Sequence, residues 1–419
     1  MPALTGVYQP PGDKSISHRV FILAALAGKR CVIHNPLVCQ DTQATLHCLE
    51  QLGSDWQQEK NSIALVPGKR PEAVAHLHAA NSGTTARLLL GVLVRRRFAS
   101  ILDGDESLRN RPMERVVTPL RAMGGRIRYL QKPGRLPLHV LPAQRLRGGR
   151  FFVNLPSAQV KSALLLAGLG CEAPLHLYHP YCSRDHTERL FAHLGLPMER
   201  HKAHIQLRPG ADVPAFSYTV AGDFSSAFFF LTAALLVPGS RLRILSVGVN
   251  PTRIGALKVL QRMGARLTVR PGGEHAGEPT GDIQVSPMPL RGTTVHQVEV
   301  PALIDELPAL CLCMARATSP SVIHGVGELR HKESDRLAGI CTLLADLARF
   351  TIQGDSLYIH PGRRTSSPIP DAGNFSRDHR LAMLLAIKEL LLRGNPGRRF
   401  TAVAVSYPDF YKDLERLIG

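Results

Sequence analysis

The chain has 419 residues, 44% hydrophobic and 20% charged, which suits two domains with cores of their own and argues against disorder. Its formal charge of +18, from 51 Lys and Arg against 33 Asp and Glu, points to an anionic partner: nucleic acid, an acidic membrane or a small phosphorylated substrate. A solvated basic surface would account for most of the same charges.

Aromatic residues make up only 5%, and the arginine runs at 95–97, 363–364 and 398–399 are short and lack stacking neighbours, so specific nucleic-acid binding is not expected. The first 13 residues show no basic stretch followed by an apolar one, so no secretory signal is read. No apolar run reaches membrane-spanning length; the nearest, Ala227 to Val237, is about half of what is needed. Eight cysteines, without a C-x-x-C pair, read as buried free thiols in a reducing cytoplasm.

A unit of about 70 residues recurs six times. Stretches of helical spacing end in Leu or Met, usually before Gly, at Leu52, Met123, Leu194, Met263, Leu347 and Leu417, with gaps of 71, 71, 69, 84 and 70. Polar clusters open apolar helices at Ser15, Ser82, Ser157, Ser225, Asp305 and Asp378, with gaps of 67, 75, 68, 80 and 73. Each unit reads as strand, helix, strand, helix and hairpin.

In chain order, Asp13 to Arg19 leads into an apolar helix at 20–27, and Asn81 to Thr85 into another at 88–94. The cationic loop Glu106 to Pro112 precedes an amphipathic stretch containing Met113, Val116, Val117 and Leu120. Ser157 to Lys161 opens an apolar run at 163–169, and Ser183 to Arg189 is a second charged loop. Gly222 to Ser226 opens 228–236, and Ile304 to Glu306 opens 307–315. Arg330 to Arg336 is the third charged loop, with Lys332 and Arg336 spaced to share a helix face. Phe350 to Ile359 reads as a hairpin about Gly354-Asp355. Arg377 to Arg380 opens the last apolar run, 381–387.

Helices apolar all round must be buried. Six of them fit an α/β (α+β) fold of two similar domains, each of three βαβαββ units. The crossings fall at Gly12-Asp13-Lys14 and Ala221-Gly222-Asp223, giving domains 14–222 and 1–13 with 223–419. The strand before Lys14 is expected to complete the second domain, because the last unit lacks room for all its strands.

Helix N-termini carry unpaired N–H groups and a positive dipole end. Simple capping by Ser, Asp or Asn explains part of each polar cluster. It does not call for Lys14, Arg19, Gln159 or Arg380, and several such entrances converging on a cleft would bind a small polyanion. Among the cations, Asp305 and Glu333 are the carboxylates best placed for acid–base work, although such surroundings favour the ionised form.

The motifs GDKSISHR, NSGTTARLL, GDESLRNRPM, PSAQVKSALLLAGL, SRDHTER, GDFSSAFFFLTAALLVPGS, NPTRIG, LIDELP, ELRHKESDR, DHRLAM and YPDF occur in this order from about Pro11 to Phe410. Together they resemble the enolpyruvyl transferase superfamily, and within it the synthases of 5-enolpyruvylshikimate 3-phosphate. The resemblance implies two similar domains, each of three βαβαββ units; a cytoplasmic monomer is expected. It implies transfer of the enolpyruvyl group of phosphoenolpyruvate to the 5-hydroxyl of shikimate 3-phosphate, with release of phosphate and no metal or organic cofactor.

By the same resemblance, Lys14, Ser15, Arg19, Ser157, Ala158, Gln159, Ser183, Asp305 and Lys332 hold shikimate 3-phosphate. Ala158 stands where many relatives have a polar residue. Phosphoenolpyruvate falls to Lys14, Gly83, Arg111, Gln159, Arg336 and Arg380, and Asp305, Glu333 and Lys14 are catalytic. The superfamily branch acting on UDP-N-acetylglucosamine usually carries a catalytic Cys in the loop matching 102–112, and none is there. One position departs from the pattern: Val405 replaces a lysine that faces the phosphate of phosphoenolpyruvate, and losing one partner of a desolvated charge pair costs roughly 2–5 kcal/mol. Either neighbouring cations carry the load, or the chain is a divergent relative, a lyase or other enzyme, that binds the cyclohexene phosphate without phosphoenolpyruvate.

Overall fold

A computed structural model describes residues 2–69, 74–362 and 377–418. The arginine pair at 363–364 lies outside the described residues. The chain divides into two compact units. The N-terminal unit comprises Gly12–Val220 and His275–Glu278, and the C-terminal unit comprises Met1–Pro11, Ala221–Glu274 and Pro279–Gly419.

The repeat has a physical cause at its helix ends. Leu52, Met123, Leu194 and Met263 are each the C-cap of an amphipathic helix. The glycine that follows each one, at 53, 124, 195 and 264, has positive φ, the left-handed turn that closes a helix and leads into the hairpin. Leu347 departs from the marker, lying beyond the end of helix Arg336–Leu343, and Leu417 lies within helix Phe410–Ile418.

Among the described residues five four-stranded sheets share one plan: a parallel pair joined to an antiparallel hairpin. In the second sheet, Ala75–His78 pairs in parallel with Ser100–Asp103, which meets Leu138–Leu141 and then Arg126–Tyr129 antiparallel. In the fifth, Ala348–Gln353 and Ser356–Pro361 form the hairpin about Gly354-Asp355 read from the sequence.

Two sheets take their first strand from a distant part of the chain. Ser217–Thr219 pairs with Cys31–His34 in the N-terminal unit, and Thr5–Tyr8 pairs with Arg241–Gly248 in the C-terminal unit. The N-terminal strand thus serves the fourth repeat, not the last. Among the described residues the last repeat contributes two helices and a short 3-10 turn and no strand.

The apolar helices are α1 (Lys14–Ala27), α2 (Gly83–Leu93), α3 (Ala158–Gly168), α4 (Phe224–Leu236), α5 (Leu307–Ala315) and α6 (His379–Arg393). Nearly every residue of α4 and all of α5 are buried, as required of helices with no polar face. In the C-terminal unit they pack with Tyr8, Phe410, Tyr407 and the inward faces of the strands.

All eight cysteines are free, and six are buried. Cys182 is exposed and Cys341 half-buried, which corrects the expectation of uniformly buried thiols. Among the described residues no helix is long and apolar enough to cross a membrane.

Candidate active site

At the entrance of α1, the side chain of Asp13 caps by accepting from the Ile16 amide at 2.9 Å, so capping uses one residue of the cluster. Lys14 is turned to Asp41, with Nζ 2.7 Å from Oδ2. Arg19, one turn in, is buried: Nε donates to Thr187 Oγ1 at 2.8 Å, Nη1 to the Ser15 carbonyl at 2.8 Å and Nη2 to Ser162 Oγ at 3.0 Å. Burial pulls its pKa down to about 10, with Glu188 opposing and Arg184 adding to the fall. Arg19 therefore ties α1 to α3 and to the helix His186–His193.

Ser82 caps α2 through the Thr85 amide, 3.2 Å away. A Cβ added at Gly83 would lie 3.0 Å from Arg87 Nη1 and 3.1 Å from Arg111 Nη1, so a side chain there would press on two guanidiniums. Arg87 Nη1 donates to Gln159 Oε1 at 2.8 Å, and Gln159 Nε2 donates to Thr84 Oγ1 at 3.0 Å. Arg111 Nη2 donates to Asn81 Oδ1 at 2.7 Å. Gly83, Arg111 and Gln159 are thus brought together around Arg87, a residue the sequence reading missed. Its signal was a lone arginine inside the apolar run TTARLLL.

Ser157 caps α3 through the Val160 amide, and Ala158, half-buried, is the first helical residue. Lys161 is fully buried against Glu188, 2.5 Å away. Ser183 is buried, and its hydroxyl has no partner among the described residues. A buried hydroxyl without a hydrogen bond is costly unless a ligand completes it.

In the C-terminal unit, Asp378 Oδ1 caps α6 through the amides of Arg380 and Leu381, at 2.9 and 3.4 Å. Its other oxygen accepts from Arg336 Nε at 2.9 Å and from Ser334 Oγ at 3.0 Å. Glu333 contacts Arg336 Nη2, and Asp305 Oδ1 lies 3.6 Å from Arg336 Nη1 and 3.7 Å from Arg380 Nε. Arg380 Nη1 donates to the Asp305 carbonyl at 2.9 Å. Burial alone would lower the Arg336 pKa, but Asp378, Glu333 and Asp305 more than offset it and raise it.

Arg336 and Asp378 are almost fully buried, whereas Asp305 and Glu333 keep 17% and 18% side-chain exposure. The buried aspartate is a fixed partner of Arg336, and the two partly open carboxylates sit where an incoming ligand can reach them.

Lys332 is half-buried. Burial lowers its pKa, Asp305 opposes and Arg336 adds to the fall. The expected shared helix face of Lys332 and Arg336 is absent: residues 327–331 form a 3-10 turn, Lys332 is extended, and the helix starts at Arg336 behind its cap Asp335. Asp335 accepts from the Ala338 amide, and this local bond sets the helix start four residues later than the charge spacing suggested. Val405 ends the 3-10 turn Thr401–Val405, against which α6 packs, and it is half-buried.

The family model described as EPSP synthase (3-phosphoshikimate 1-carboxyvinyltransferase) matches residues 2–414. The 3-phosphoshikimate 1-carboxyvinyltransferase of Carboxydothermus hydrogenoformans is 41% identical over 420 residues, covering 99% of this chain and 97% of that protein. A protein of the same name from Thermus thermophilus is 42% identical over 421 residues, 99% of this chain and 96% of that one. Among solved structures, EPSP synthase from Acinetobacter baumannii superposes with a TM-score of 0.83 at 34% identity, covering 99% of this chain and 96% of that chain. The enolpyruvyl transferase NikO from Streptomyces tendae, at 19% identity, shares the fold, with a TM-score of 0.77 over 99% of this chain and 95% of its own.

Proposed function

The chain belongs to the EPSP synthase family, and from that premise we propose that it transfers the enolpyruvyl group of phosphoenolpyruvate to the 5-hydroxyl of shikimate 3-phosphate, releasing phosphate. This is the carboxyvinyl transfer of the shikimate pathway to the aromatic amino acids. The substrates are small anions, in keeping with the net charge of +18. We read the enzyme as a cytoplasmic monomer.

The observation that carries the reading is the Arg336–Arg380–Asp305 cluster. Two nearly buried guanidiniums share one partly exposed carboxylate, an arrangement suited to gripping a substrate carboxylate through parallel bonds beside a base. Phosphoenolpyruvate is assigned to Lys14, Gly83, Arg111, Gln159, Arg336 and Arg380. Shikimate 3-phosphate is assigned to Lys14, Ser15, Arg19, Ser157, Ala158, Gln159, Ser183, Asp305 and Lys332. The unpartnered Ser183 hydroxyl supports the second set, with Ala158 contributing backbone only.

In the reaction Asp305 takes the proton of the 5-hydroxyl as its oxygen attacks C2 of phosphoenolpyruvate. Glu333 or Lys14 delivers a proton to the methylene carbon, giving a tetrahedral adduct. Loss of a proton from the new methyl group and departure of phosphate regenerate the double bond. General acid–base groups so placed contribute roughly 10²- to 10⁴-fold each.

Incubation with shikimate 3-phosphate, with and without phosphoenolpyruvate, tests the reading by phosphate release and product mass. Phosphate release only when phosphoenolpyruvate is present, with product heavier by the enolpyruvyl group, is expected. Release from shikimate 3-phosphate alone would overturn it.

A further inference from the structure

Ser225, Arg253 and Glu306 form a buried trio that the proposed chemistry does not use. Ser225 follows Phe224 at the start of α4, behind the cap Asp223. Its hydroxyl donates to Glu306 Oε1 at 2.6 Å. Glu306 Oε2 accepts from Arg253 Nη1 at 2.7 Å. The Ser225 oxygen accepts from Arg253 Nη2 and also from Arg380 Nη2, the latter at 3.2 Å. The side chains of Arg253 and Glu306 are 3% and 0% exposed.

The direction of these bonds fixes what Arg380 meets. A serine hydroxyl has one proton and two lone pairs. Glu306 claims the proton, so the lone pairs must face the two arginines. Arg380 is then held by two neutral acceptors, Nη2 by the Ser225 hydroxyl and Nη1 by the Asp305 carbonyl, with the partly exposed Asp305 carboxylate 3.7 Å from Nε. Arg253 pairs with Glu306 at 2.7 Å and lies 3.9 Å from Asp223, so the carboxylate that aligns the serine is itself paired and reaches Arg380 only through the neutral hydroxyl. Arg336 is anchored differently, by the charged Asp378.

We infer that Glu306, Arg253 and Ser225 are positioning residues that orient Arg380 for the carboxylate of phosphoenolpyruvate through a neutral contact, without setting a second carboxylate against it. This rests on the assignment of Arg380 to phosphoenolpyruvate made above. Placement errors of about 1 Å in a positioning contact can cost on the order of 10²-fold, and loss of one of two neutral bonds should fall below that.

The test is steady-state kinetics with both substrates varied, alongside thermal unfolding. Ser225→Ala should raise KM for phosphoenolpyruvate about tenfold, leave KM for shikimate 3-phosphate within about twofold, and keep the folded state. Ser225→Thr, which retains the hydroxyl, should restore most of the loss. Should Ser225→Ala fail to fold, Glu306→Gln should show the same split more weakly, by a few-fold. A lowered unfolding temperature with both KM values unchanged, or equal rises in both, overturns the inference and leaves the trio purely structural. Arg380→Ala separates the two readings: if it leaves KM for phosphoenolpyruvate unchanged, the substrate assignment itself falls. If it raises KM and Ser225→Ala does not, only the positioning role falls.

Discussion

Asp378 holds Arg336 from behind, with Oδ2 2.9 Å from Nε, while its other oxygen caps α6. One buried carboxylate thus fixes both a helix start and the Arg336 guanidinium. Asp378→Ala should leave Arg336 buried without its fixed partner, at a cost of about 3–5 kcal/mol, with loss of the cap adding about 1 kcal/mol. A urea unfolding series should show that loss, with KM for phosphoenolpyruvate rising in whatever folded protein remains. A change under about 1 kcal/mol would mean that Glu333 and Asp305 suffice to hold the arginine.

Glu333 contacts Arg336 Nη2, and the proposed mechanism makes it a candidate proton donor to the methylene carbon. Glu333→Gln should therefore lower kcat by roughly 10²- to 10³-fold, as expected for loss of an acid–base group, without raising KM for phosphoenolpyruvate. Kinetics showing a higher KM at unchanged kcat would make Glu333 a binding group instead.

Val405 places an apolar side chain at the end of the 3-10 turn packed on α6. With Arg336 and Arg380 already clustered on this unit, Val405→Lys should improve KM for phosphoenolpyruvate by no more than about tenfold from an active parent. Activity appearing only in the lysine variant would point to the divergent relative.

Acid should destabilise the N-terminal unit through two histidines. Burial lowers the His18 pKa far below its usual 6.5, with Lys14 and Arg19 adding to the fall, and burial with help from Lys161 lowers His179 to about 4. The unfolded imidazoles protonate near about 6.5 and the folded ones do not, so the unfolded chain binds more protons below that pH. Stability is full above about 6.5 and falls as pH drops toward about 4, by up to about 1.4 kcal/mol per pH unit for each group. Urea midpoints between about pH 6.5 and 5 avoid most carboxylate titration; His18→Asn should flatten the slope there, and an unaltered slope would remove His18 from the account.

Thiol labelling of the folded protein should modify Cys182 first, because it alone is exposed. Burial raises the thiol of Cys39 to about 11 and that of Cys48 to about 12, which keeps the reactive thiolate scarce. Mass spectrometry showing early label on Cys39 or Cys48 would contradict their burial.

Local chemistry made much of this legible in advance. The six apolar helices follow from sequences with no polar face, and four repeat markers follow from a Leu or Met cap and the left-handed glycine after it. The entrances could be located because cap residues and surplus cations stand together. Arg87, Asp378, Ser225, Arg253 and Glu306 were not assigned roles, because the side chains they bond lie from 28 to 155 positions away where no spacing rule reaches. The helix face proposed for Lys332 and Arg336 failed because two like charges four apart give a helix no support, and Asp335 caps a later start.

The exchanged first strands bear on the order in which the chain can be completed during synthesis. Thr5–Tyr8 emerges first, yet its partner Arg241–Gly248 follows more than 230 residues later. The sheet containing Cys31–His34 likewise waits for Ser217–Thr219. A fragment spanning 12–220 carries every strand its three sheets require, whereas one starting at 221 leaves the backbone edge of Arg241–Gly248 open, a template for pairing with other chains. Splitting the gene at that point should give a well-behaved first half and an aggregation-prone second half, which a peptide covering Thr5–Tyr8 supplied in trans would protect.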